Sequence, residues 1–177
     1  MNLNPKPLHD HGEGFFTWHA YDPSCKAELW STLFSNTRET ILFDPIPWPK
    51  DNPLPAAPVI IIRTNTNHDR FCKEMVELVQ GKIETEVVGF EKIPLPGAGE
   101  GETAYFHPES KTLVVGDALI NLPPLGLTLL PEKYCTDPVQ LRKSVRRLSQ
   151  LPIERIFFAH GAPIVHSGLS QLSPLLS

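Results

Sequence analysis

Hydrophobic positions along this chain fall into short runs separated by proline and polar clusters. Residues 15–21 are aromatic-rich and predict a strand. Residues 29–34 and 40–43 predict two more, joined around a turn at Asn36. Between Pro58 and Arg63 stand Val59, Ile60, Ile61 and Ile62. A β-branched run this short, bounded by proline, predicts a strand buried on both faces. Over residues 69–80 the period changes: Phe71, Cys72, Met75, Val76 and Val79 form one helical stripe, and Gly81 is a natural stop. Residues 84–90 predict another strand. Residues 103–107 and 112–115 predict a hairpin across Pro108-Glu109-Ser110-Lys111. Asp137-Pro138 is a helix start, with Asp as cap and Pro in the first turn. That helix is predicted to reach Gln150 with Leu141, Val145 and Leu148 inward. Residues 155–159 predict the last strand, and the tail from His166 a short helix or coil.

The order strands, helix, strands, helix, strand implies an α/β or α+β fold. With 177 residues and no internal repeat, the expectation is a single domain over residues 1–177, its polar first fourteen residues a flexible end. That stretch has no apolar core and is not read as a signal peptide. Nineteen prolines are roughly twice the usual share of about 5%. They cluster between apolar segments (Pro45 to Pro49, Pro53 to Pro58, Pro94 and Pro96, Pro123 to Pro131), as rigid connections would. A net charge of −4 argues against nucleic-acid or membrane partners. Three scattered cysteines, Cys25, Cys72 and Cys135, imply a reduced, cytoplasmic setting.

Candidate chemistry collects just past predicted strands. After the 59–62 run comes Thr64-Asn65-Thr66-Asn67-His68-Asp69-Arg70. After the 112–115 run comes Gly116-Asp117, and after the 155–159 run His160-Gly161. Earlier in the chain stands Ile41-Leu42-Phe43-Asp44-Pro45. This order resembles the metallo-β-lactamase superfamily, whose members carry an Ile-Asp-Pro strand end, Thr-His-x-His-x-Asp-His, Gly-His, Gly-Asp and a late His-Gly. The resemblance runs from about Phe15 to Gly168. It implies an αββα four-layer sandwich, somewhat trimmed.

The departures concern the metal. On the family pattern, Asn65 and Asn67 replace the two leading histidines, Arg70 replaces the closing one, and Gly97-Ala98 replaces Gly-His. The sequence thus resembles a degenerate branch with Thr-Asn-x-Asn-His-x-Arg. A carboxamide is a poor zinc donor, so the first metal position would lack its ligands. The second would retain Asp69, Asp117 and His160. Arg70 keeps its proton and is expected to stand in for the lost ion against Asp69 and Asp117. At ~4 Å and an effective dielectric of about 20, each such pair gains about 4 kcal/mol before desolvation.

The resemblance therefore implies Asp69, Asp117 and His160 as catalytic candidates; His68, at a position variable in the family, is a fourth, as a base with a pKa near neutrality. Asn65, Asn67, Arg70 and Ala98 would line the cleft. No metal is the expectation; the alternative is a single zinc or iron on Asp69, Asp117 and His160. The function implied is hydrolysis of a small ester, thioester or lactone. The alternative is a metal-free pseudoenzyme, or a module binding a small molecule or protein. Blander roles stay open: Asn65 and Asn67 as turn residues, Asp69 as a helix cap, Asp117 as a strand-end turn and His160 as a structural histidine. The expected partner is a small-molecule ligand or substrate; sequence leaves oligomeric state undefined.

Overall fold

The computed structural model describes residues 3–56 and 58–176. The chain forms two compact units, one of Met1–Arg63 and His68–Val87, the other of Thr64–Asn67 and Val88–Ser177.

The first unit is a six-stranded sheet in sequence order: β1 (His9–Asp10), β2 (Phe15–Asp22), β3 (Ala27–Ser35), β4 (Thr40–Phe43), β5 (Val59–Ile62) and β6 (Lys82–Glu84). The first four strands pair antiparallel; β4, β5 and β6 run parallel. The Asn36 carboxamide makes the β3–β4 turn by accepting from the amides of Arg38 and Glu39. All four residues of β5 are buried, as a strand with neighbours on both sides requires. His9 and Asp10, in the stretch expected to be a loose end, pair with Thr17 and Phe16.

Alternation sorts the side chains. Trp18, Ala20, Leu29, Leu33, Leu42, Val59 and Ile61 share one apolar cluster with Cys72, Met75 and Val79 of helix α1 (Cys72–Val79). This helix is shorter than the predicted 69–80. Residues Thr66–Asp69 form a separate 3-10 turn, and Gln80 closes α1 in the left-handed conformation, one residue before the expected Gly81 stop.

The second unit holds a four-stranded sheet ordered β12-β9-β8-β7, from β7 (Glu91–Pro94), β8 (Thr103–His107), β9 (Thr112–Val115) and β12 (Arg155–Phe158). Only β12 and β9 are parallel. Helix α2 (Pro138–Arg146), with Asp137 capping the Gln140 amide, continues as a 3-10 turn over Arg147–Gln150. It lays Leu141, Val145 and Leu148 onto Phe106, Leu113, Val115, Ile156 and Phe158, joined by Leu172 of α3 (Gly168–Leu172).

Two elements differ from the sequence expectation. The strand expected at 84–90 is not formed: β6 ends at Glu84, β7 starts at Glu91, and the residues between are irregular. A hairpin, β10 (Leu119–Leu122) and β11 (Gly126–Leu129), occupies what the prolines suggested was a connection. No helix among the described residues is long and apolar enough to cross a membrane.

Candidate functional site

In the first unit, β4 hands the chain to Asp44, whose φ of +47° turns it sharply. The Asp44 side chain is buried, and its Oδ2 lies 2.9 Å from Nδ1 of His68, also buried. A carboxylate only accepts, so Nδ1 carries a proton, and in the neutral ring Nε2 is the nitrogen with the lone pair. The Asp44 carbonyl accepts from Ser31 Oγ at 2.7 Å. Arg70, at φ +29°, sends Nη1 to the carbonyls of Trp30 at 2.9 Å and Asp44 at 3.3 Å, and its Nη2 lies 3.4 Å from His68 Nε2.

Asp69 takes a different role from the one expected. It pairs with Arg63 at 3.3 Å and Lys73 at 3.4 Å, with its side chain 42% exposed. The expected Arg70–Asp69 pair is not formed, because the Arg70 guanidinium reaches back to the carbonyls of Trp30 in β3 and Asp44 just past β4. Nor does Asp69 cap α1: Phe71 occupies that position without a side-chain bond. Burial and this acidic neighbourhood disfavour the Cys72 thiolate. Burial first, then Asp44 and Asp69, push its pKa to about 12.

In the second unit, residues 64–66 run beside the approach to β8: the Thr103 amide donates to the Thr64 carbonyl and the Thr66 amide to that of Glu100. This seats Asn65, 3% exposed, between two acids. Its Nδ2 donates to Glu102 Oε2 at 2.7 Å and to Asp117 Oδ2 at 3.0 Å, while its Oδ1 accepts from the Asn67 amide at 2.9 Å. Glu102 Oε1 accepts from the Ala118 amide at 2.9 Å. His160 Nε2 lies 3.3 Å from Asp117 Oδ1. Gly116 is needed at this point, since a Cβ would overlap Thr64 Oγ1 and come within 2.8 Å of Glu102 Oε1.

Asn65, Asp117 and His160 are thus brought together. Asn67 is exposed, near Gly99. Ala98 is a correction: it is fully buried in the apolar cluster under α2, with its carbonyl taken by the Thr136 amide, so its side chain lines no cleft. The sequence reading also passed over Asp44 and Glu102. Asp44 was legible as a strand-end motif without a role; Glu102 belongs to no motif.

At two positions where the resemblance would place histidine ligands, Asn65 and Ala98 stand instead. Both Asn65 amide hydrogens point to carboxylates, which places positive partial charge where the resemblance would put a metal-binding lone pair. Ala98 offers no donor. Asp117 and His160 remain of a kind suited to zinc or iron.

No protein-family model matches the chain, and no curated protein matches it in sequence. Solved structures do. A metallo-beta-lactamase from Pontibacter korlensis superposes with a TM-score of 0.69 at 15% identity, covering 99% of both chains. One from Hirschia baltica gives 0.68 at 13%, covering 97% of this chain and 98% of its own. An archaeal metallo-beta-lactamase superfamily protein from Sulfolobus tokodaii gives 0.64 at 13%, covering 84% and 80%. The chain has the metallo-β-lactamase fold, and both units fall within it.

Proposed function

We propose that this protein is a hydrolase-like member of its fold acting on a small ester, thioester or lactone. His68 serves as general base, Asp44 orients it, and Asp117 with His160 holds the reacting group. The carrying observation is the 2.9 Å contact between His68 Nδ1 and the buried Asp44 carboxylate, which leaves Nε2 as the basic nitrogen. The resemblance is the ground for giving Asp117 and His160 a role; His68 enters as the base on its own chemistry.

In this reading Nε2 takes a proton from water as its oxygen attacks the acyl carbon. Asp44 stabilises the imidazolium. The C–O or C–S bond then breaks, and the proton passes from Nε2 to the departing oxygen or sulfur. The Asn65 carboxamide and Glu102 hold Asp117 in place. The scheme needs no ion. Were one zinc or iron bound, His68, Asp117 and His160 are the donors suited to hold it and it would supply Lewis acidity; Asp69, engaged by Arg63 and Lys73, is not among them. Three free cysteines support a reducing, cytoplasmic setting.

One contact favours a second reading, a metal-free binding module: Arg70 Nη2 stands 3.4 Å from the same Nε2 and would occupy the base. Turnover of a panel of p-nitrophenyl esters, acyl thioesters and lactones, with elemental analysis and a chelator control, separates the two. Hydrolysis that falls on the order of 10²–10⁴-fold in His68→Gln supports the first. Binding of panel members without turnover in any metal condition refutes it and leaves the second.

A further inference from the structure

The hairpin β10–β11 begins two residues after Asp117 and is fastened to the loop carrying His160. The Asn121 amide donates to the His160 carbonyl at 2.9 Å, and its Nδ2 to the Ala162 carbonyl at 2.7 Å. Gly161 lies so close that any Cβ there would overlap the Asn121 carbonyl.

Residues 119–130 carry no charged side chain. Register sorts them: Leu119 opposes Leu129 and Asn121 opposes Leu127, while Ile120 opposes Thr128 and Leu122 opposes Gly126. Leu119, Leu127 and Leu129 belong to the core below. A hairpin that merely covered a core would be polar on its other face. This one puts Ile120 and Leu122 there, half-buried, beside Thr128 and Gly126, and Leu125 at its tip, 77% exposed.

We infer that this outer face receives the apolar, non-reacting part of the ligand, an alkyl or aryl acyl chain. The inference rests on the hydrolytic reading for the polar end of the site and adds the substrate class. An apolar wall fixed beside a few convergent polar groups is the usual composition of a small-molecule site. Three side chains are too little surface for a stable dimer, which buries roughly 1,000 Å² or more. The absence of Lys and Arg from residues 119–130 offers no attraction to an anionic membrane.

The test is binding of sodium butanoate, hexanoate and octanoate, followed by calorimetry and amide chemical shifts, which needs no turnover. Affinity should rise with length, by up to roughly fourfold per methylene, with shifts at residues 119–130. Leu122→Ser/Leu125→Ser should flatten the series while leaving butanoate within about twofold. The tip variant Leu125→Ser alone should lower the slope partway, and unchanged shifts at Asn121 and Gly161 confirm that the hairpin stays fastened. Affinity independent of chain length, or a length dependence the variants leave intact, overturns the inference even if short esters are hydrolysed. Length-dependent binding in a protein that hydrolyses no ester removes the hydrolytic reading and leaves this one standing.

Discussion

Replacing Asp44 by Asn isolates the charge of the buried Asp44–His68 pair from its shape. Asp44 sits at φ +47°, a conformation Asn tolerates better than other side chains. The carbonyl bonds to Ser31 and Arg70 involve the main chain and persist. Only the charge on the acceptor facing His68 Nδ1 is lost. A hydrogen bond to a charged group contributes about 1.5–3 kcal/mol net and a neutral one about 1, so Asp44→Asn should cost about 0.5–2 kcal/mol. With a urea slope of about 2 kcal/mol/M, the midpoint should fall by about 0.25–1 M. Asp44→Ala should cost about 3–5 kcal/mol, because it strands a buried imidazole N–H and puts Ala in the left-handed region. Urea titration gives the energies, and side-chain ¹⁵N shifts of His68 report which nitrogen carries the proton. If Asp44→Asn leaves the midpoint within 0.1–0.2 M of wild type, roughly its error, with the proton still on Nδ1, the carboxylate does not hold the ring.

Asn65→Ala should destabilise by about 2–3 kcal/mol in urea titration, since it withdraws one amide group from two carboxylates. Ala98→Leu should cost about 1–3 kcal/mol by overpacking a core position; an undiminished midpoint would return Ala98 to an open cleft. Cys72 should resist iodoacetamide in the folded protein while exposed Cys25 reacts, as read by mass spectrometry. Its raised pKa also fixes a sign: above about pH 9 the unfolded chain releases a proton that the folded thiol keeps. Stability should therefore decline as pH rises through that range, and Cys72→Ala should lessen the decline.

Elements with a clean period were legible in sequence. The 59–62 run became a central strand because four β-branched residues opened by Pro58 suit a short buried strand, and Asp137-Pro138 started α2 where a cap and a first-turn proline predict. The hairpin β10–β11 was missed because Pro123-Pro124 at its tip looks like a linker, although the residues either side pair in register. The 84–90 expectation failed where local apolar content did not reveal the break between two sheets. Motif order singled out Asp117 and His160, and their side chains lie 3.3 Å apart. Asp69 and Ala98 did not keep their expected roles, since the nearby cations Arg63 and Lys73 and the packing under α2 decide them. Glu102 stands 37 residues from Asn65, and only tertiary structure could pair them.

The margins of the sheets bear on how the protein keeps to itself. β1 has two residues and β6 three, the latter carrying Lys82 and Glu84 as an ion pair 2.9 Å apart. β7 brings Glu91, Lys92 and Pro94 to its margin, and the free side of β12 is taken by Ile164, which exchanges amide bonds with Ile156. Short, charged, proline-bearing or covered borders give a foreign strand little backbone to copy. A chain with so many β-branched strands thereby avoids templating its own aggregation.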